Sequence, residues 1–143
     1  MVSFWDTSAV IPLTVEEPAT AQVRPILEGD PGMVVWWATS TECHSALCRR
    51  LRENANSRSV IRDARRSLVA MAGEWSEVAA TEAVRRRAER LLGVHAIRAA
   101  DALQLAAALV WTRDEPRGHG FVCLDERLGE AAHKEGFAVL PAP

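Results

Sequence analysis

An α/β fold with a largely parallel central sheet, covered by helices on both faces, is what this sequence predicts. Three observations carry the prediction. Short apolar runs recur at residues 2–5, 33–38, 121–124 and 137–140, and segments with apolar residues at helical spacing separate them. The run from Met33 to Ala38 is unbroken, as expected of a strand buried on both faces. A chain of 143 residues, 48% apolar and 25% charged, has the size and composition of one ordinary globular domain with a sizeable core.

Taken in order, the first strand is VSFW, where Val2, Phe4 and Trp5 are strand formers. Asp6 ends it, and Thr7 and Ser8 are suited to bond the backbone of the turn into a following helix. The second strand, Met33 to Ala38, leads through TSTEC into a helix with apolar residues at helical spacing. A helix over 59–72 carries Val60, Ile61, Ala64, Leu68 and Met71 on one side, with Arg62, Asp63, Arg65 and Arg66 mostly on the other. After Gly73, WSEVAA alternates like a short strand. Thr81 opens a helix that ends near Gly93, and AIRAADALQLAAALVW is a strongly apolar helix through Trp111. The polar loop TRDEPRGHG leads to the strand FVCLD. A final helix, ERLGEAAHKEG, stops at Gly136 before the last strand, FAVLP.

Composition removes several classes of function. No apolar run reaches the roughly 18 residues of a membrane span, and the start lacks the basic region and cleavage site of a secretory signal, so a cytoplasmic protein without membrane contact is expected. Cys43, Cys48 and Cys123 contain no CxxC and join no His-rich cluster of zinc-ligand spacing, which makes them small core residues and free thiols. The four histidines are dispersed, and no Ser/His/Asp order suggests a nucleophile. Asp6-x-Ser8 after an apolar strand has a faint likeness to haloacid-dehalogenase phosphatases, but those carry a second Asp where Ser8 stands.

Four acids draw the attention instead. In a parallel sheet Asp6 and Asp125 end strands that point the same way, so both emerge at the edge where such folds bind ligands. Glu42 lies in TSTEC just after the second strand, and Asp101 sits in AADALQLAAAL, a helix apolar almost all round. Each also has a structural reading: Asp6 as a helix N-cap, Glu42 with Thr39 as a capping box, Asp101 as a first-turn acid favoured by the helix dipole. Gathered at one edge, four carboxylates would repel and raise one another's pKa unless a cation neutralises them, and oxygen ligands suit Mg²⁺ or Mn²⁺.

In FWDTSAV, TSTECHSAL, IRAADALQLAAAL and FVCLDERLGEAAHKEGF, in this order and spacing, the chain resembles PIN-domain ribonucleases, and within them the VapC-type toxins of toxin–antitoxin pairs. The resemblance implies a single PIN domain over residues 1–143, with the three-layer α/β/α architecture and mainly parallel sheet of that family. It implies Mg²⁺- or Mn²⁺-dependent endonucleolytic cleavage of RNA by an activated water, leaving 5′-phosphate and 3′-hydroxyl ends. Carried over by position, Asp6, Glu42, Asp101 and Asp125 match the family's acidic metal-binding set, the first three holding the main ion. Asp125 then completes the site or serves a second ion, and Thr7 or Ser8 matches the supporting hydroxyl. An antitoxin protein and a homodimer are implied as partners. A solitary PIN ribonuclease, or a PIN-like module that only binds RNA or protein, is the alternative. Trp36 and Trp37 depart from the family in standing where smaller apolar residues are usual.

Charge is unevenly distributed. Residues 49–98 hold 12 arginines against 6 acids, so the middle is +6 and the flanks together are −8. Arg49, Arg50, Arg85 and Arg86 are thereby candidates for contact with RNA phosphates or with an acidic antitoxin segment, while solvated helix faces explain the same residues structurally. The five tryptophans are read as core or interface.

Overall fold

The computed structural model describes residues 2–143. Its elements in chain order are β1 (Ser3–Trp5), α1 (Thr7–Thr14), α2 (Thr20–Gly29), β2 (Met33–Trp36), α3 (Thr39–Arg52), α4 (Arg58–Ala72), β3 (Ser76–Val78), α5 (Glu82–Leu92), α6 (Ala99–Trp111), β4 (Gly120–Val122), α7 (Glu126–Glu135) and β5 (Ala138–Leu140). The five strands form one sheet in the order β3-β2-β1-β4-β5, and neighbouring strands pair in parallel throughout. The predicted α/β/α architecture with a parallel sheet is what is observed.

Two apolar clusters, one on each face of the sheet, make the three layers. Phe4, Val34 and Phe121 pack with Val84, Leu91, Leu105 and Leu128 of α5, α6 and α7. Trp5, Val35 and Val122 pack with Val10, Val23, Leu47 and Leu68 of α1 to α4. Successive strand residues thus enter opposite cores, which is why these strands read as unbroken apolar runs.

Strand order reverses between β1 and β4, because the chain winds outward to β2 and β3 before returning to β4 beside β1. This is the switch point at which sheets of this type open a crevice beyond their carboxyl ends. Close approach holds the pair together: a Cβ on Gly120 would lie 2.2 Å from Ser3 Oγ and 3.1 Å from its Cβ.

Several expectations are corrected. The strand expected to run through Ala38 ends at Trp36, since Ala38 already caps α3. The apolar segment beginning AIR becomes helical only at Ala99. Val60 is 40% exposed, off the buried stripe of Ile61, Ala64 and Leu68. Cys43 and Cys123 are buried and all three thiols are free, but Cys48 is only half-buried. Trp5, Trp36 and Trp75 are core, whereas Trp37 is 59% exposed. Helix α2 is an element that the sequence pattern does not predict. No helix among the described residues is long and apolar enough to cross a membrane.

Candidate metal centre

Residue types and caps bring the four acids to the switch point. Asp6 follows β1 and caps α1; its side chain accepts the Ser8 N–H at 3.1 Å and the Ser8 hydroxyl at 2.6 Å, both on Oδ2. Its own N–H donates to Val122 O of β4 at 2.9 Å, and the Ser8 hydroxyl accepts the Leu124 N–H at 3.0 Å. The ends of β1 and β4 are therefore stapled through Asp6 and Ser8. Asp125, three residues past β4, caps α7 by accepting the Leu128 N–H on Oδ1 at 2.9 Å.

Asp101 lies in the first turn of α6, where Oδ2 accepts the Arg98 N–H at 3.4 Å. Glu42 lies in the first turn of α3, but the expected capping box with Thr39 does not form. The cap is Ala38, without a side-chain bond. Thr39 and Glu42 turn inward, where Gln104 Nε2 approaches Glu42 Oε1 at 2.7 Å, Thr7 Oγ1 at 3.1 Å and Thr39 Oγ1 at 3.2 Å. The Thr7 hydroxyl donates to the same Glu42 oxygen at 3.3 Å. A tertiary contact outcompetes the local one because the amide and hydroxyl of α6 and α1 reach a carboxylate that is leaving solvent.

One pattern joins all four. Each acid gives one oxygen to the chain and keeps the other without a protein partner among the described residues: Asp6 Oδ1, Glu42 Oε2, Asp101 Oδ1 and Asp125 Oδ2. The fully buried side-chain atoms left without a partner among the described residues are Gln104 Oε1 and His119 Nδ1, not the oxygens of Asp6, Glu42 or Asp101, and Asp125 is itself exposed. No Lys or Arg forms an ion pair with any of the four among the described residues.

Electrostatics follow from this. Burial pushes the Asp6 carboxyl above its ordinary value, and Asp101 and Asp125 push it further, against the two bonds from Ser8. Glu42 is raised chiefly by burial and also by Asp6 and Asp101, while the Gln104 and Thr7 bonds oppose the shift. Asp101 is raised by burial and by Asp125, opposed by the Arg98 N–H and charge. Burial also raises the pKa of the Cys123 thiol beside Asp6, and Asp6 pushes it further in the same direction.

An open cleft of about 800 Å³ leads up to the acids, lined by Leu92, His95, Ile97, Arg98, Asp101, Asp125 and Arg127 among others. Asp6 and Glu42 lie outside that lining. No three His, Cys, Asp or Glu among the described residues form a ready-made metal cluster. The donor set nevertheless fits a hard cation: it is all oxygen, uncompensated, and offers one open oxygen per acid. Mg²⁺ commonly takes one or two carboxylates and retains waters, so it does not require a closed cage.

Of the residues singled out from sequence, the site unites Asp6, Glu42, Thr7 and Ser8, with Asp101 and Asp125 electrostatically coupled to them. It leaves out the arginines named as candidates: Arg50 pairs with Glu17 at 2.7 Å and Arg85 with Glu82 at 2.8 Å, while Arg49 and Arg86 are exposed on α3 and α5. Gln104 and Thr39 are site residues that sequence reasoning missed. The signal for Gln104 is a lone amide in an otherwise apolar helix, three residues after Asp101.

A family model described as "PIN domain" matches residues 3–133. Ribonuclease VapC45 and Ribonuclease VapC49, both from Mycobacterium tuberculosis, are each 29% identical over 139 residues, spanning 97% of this chain and 94% of theirs. Among solved structures, VapBC2 from Rickettsia felis, bound to a promoter DNA fragment, superposes with a TM-score of 0.66 at 9% identity, covering 97% of each chain. FitAcB from Neisseria gonorrhoeae gives 0.65 at 16% identity, covering 97% of this chain and 96% of that one. At such identities the likeness is one of fold.

Proposed function

The chain belongs to the PIN-domain family, and from that premise we propose that it is a Mg²⁺- or Mn²⁺-dependent endoribonuclease, the toxin of a toxin–antitoxin pair. The observation that carries the reading is the set of four uncompensated carboxylates at the switch point, each with one free oxygen. The similarity to two VapC ribonucleases over nearly the whole chain supports RNA as the substrate.

In this reading Asp6, Glu42 and Asp101 hold the main ion, and Asp125 completes the site or serves a second one. When bound, the ion supplies Lewis acidity toward a phosphoryl oxygen and toward the attacking water. The chain's own residues fix the geometry. Ser8 locks Asp6 and ties it to the β4 end, and Gln104 and Thr7 hold one oxygen of Glu42. Arg98 and Arg127, on the cleft wall beside Asp101 and Asp125, offer positive charge to RNA phosphates that the acids would otherwise repel.

An antitoxin partner belongs to the same reading. A second groove of about 730 Å³ has Leu51, Ile61 and Val69 as its apolar floor and Arg58, Arg62, Arg65 and Arg66 around it. An acidic amphipathic segment is complementary to that arrangement. A homodimer is expected as well, and light scattering of the purified chain checks it.

Incubating partner-free protein with cellular RNA and Mn²⁺, beside EDTA and Asp6→Asn controls, tests the nuclease directly. Discrete new 5′ ends are expected only with metal and intact Asp6, and Asp6→Asn should lower cleavage by more than about a hundredfold, beyond the effect of losing an outer-shell partner. Asn remains a good N-cap, so the variant should fold. Cleavage undiminished in that variant would sink the proposal.

A further inference from the structure

Gln104 is 1% exposed and is the one polar side chain among the buried residues of α6. Its amide is oriented one way only. Nε2 faces three acceptors, Glu42 Oε1, Thr7 Oγ1 and Thr39 Oγ1, within 3.2 Å, while Oε1 is buried with no partner among the described residues. A buried amide oxygen left without a donor is unusual, and turning the amide over would set that oxygen against Glu42 Oε1, acceptor to acceptor. The side chain's own hydrogen-bonding balance therefore does not account for its presence in an apolar core. What it accomplishes is at its other end.

We propose that Gln104 is a positioning residue that fixes Glu42 for cation binding, an inference that rests on the reading of the acids as a metal centre. With Thr7 it occupies Glu42 Oε1 from two sides, and so leaves Oε2 as the oxygen available to an ion. Three elements meet here: α6 supplies the amide, α3 the carboxylate and Thr39, and α1 the Thr7 hydroxyl. Asp101 stands one helical turn before Gln104 on α6. The same helix thus carries one acid and sets the orientation of another, which couples their spacing to a single rigid body.

The test is calorimetric titration of MnCl₂ into metal-free protein at neutral pH, with circular dichroism confirming the fold. Gln104→Met keeps the volume and removes the donor, and it should weaken Mn²⁺ binding about 10–100-fold, the range typical for loss of an outer-shell partner. In a Glu42→Ala background the same change should have little further effect, because Gln104 acts through Glu42. A residue that only packed the core would leave Mn²⁺ affinity unchanged in the folded Met variant, and that result overturns the proposal. So does an equal loss in both backgrounds. Should the Met variant not fold, Gln104→Asn withdraws the amide by one methylene; native Mn²⁺ affinity in that variant overturns the proposal, and a similar loss upholds it. Absence of Mn²⁺ binding by the unaltered chain fails at the earlier step, bringing down the metal centre and this inference together.

Discussion

Asp6 and Asp125 cap helices, Asp101 accepts the backbone N–H at the start of a third, and each keeps one oxygen open, so the local role and the functional role belong to different atoms of one carboxylate. A cap fixes the rotamer, and a fixed rotamer aims the second oxygen. Arg98 and Arg127 bear on the same place differently. Both are exposed, both line the cleft, and neither enters an ion pair among the described residues. Changing either to Ala in a non-cleaving Asp6→Asn background should weaken single-stranded RNA binding across sequences and lower the log–log salt slope by about 0.7 for each phosphate that is no longer neutralised. An unchanged slope, from anisotropy at several salt concentrations, would remove them from the RNA path. At this scale the acids were legible because strand ends and helix starts are local signals. Gln104 was not, since its partners Glu42 and Thr7 lie 62 and 97 positions away.

Pairing of β1 with β4 is the element-level feature on which the site depends, because Asp6 and Asp125 extend from these two strands. Gly120 permits it. Ser3 is 4% exposed, and a methyl group at position 120 would overlap its side chain, forcing the strands apart or Ser3 into another rotamer. Gly120→Ala should therefore destabilise the fold by about 1–3 kcal/mol, the usual range for overpacking a tight interior, as read by urea denaturation. A neutral effect would mean that Ser3 turns away freely. The strands and most helices could be read from sequence because apolar runs, helical spacing and end signals such as Thr81 and Gly136 mark them. Helix α2 was invisible: it buries only Thr20 and Val23, contains Pro25 and has no side-chain cap. The Thr39–Glu42 box misled for the opposite reason, a strong local signal overridden by a contact from α6 that no local window contains.

Across the whole molecule, the arginine-rich middle is not one patch. Helices α3 and α4 cover one face of the sheet and α5 covers the other, so Arg49 to Arg66 and Arg85 to Arg90 are parted by the core. The acidic edge is accordingly left uncompensated by ion pairs, and this has a measurable cost in the metal-free chain. Asp6, Glu42 and Asp101 all have raised pKa values, burial being the first cause in each. Such groups hold their protons more tightly folded than unfolded. Their contribution to stability is complete below the ordinary values of 3.8 and 4.5 and is lost as pH rises through the raised ones. Asp114, lowered by its bond to Arg87, works the other way: it stabilises above 3.8 and loses that effect as pH falls, though its half-exposed carboxylate is screened by solvent. In EDTA, thermal melts should therefore show stability declining as pH rises from the ordinary values of 3.8 and 4.5 toward neutral and the three acids ionise. Mn²⁺ should reverse the decline, by about 2.7 kcal/mol at a hundred times its dissociation constant, and should act more strongly at the neutral end because the carboxylates must be deprotonated to bind it. A metal-free chain that instead gained stability steadily over that interval, and ignored Mn²⁺, would show that the acids settle their charges without a cation; the four open oxygens would then be solvated surface rather than a centre.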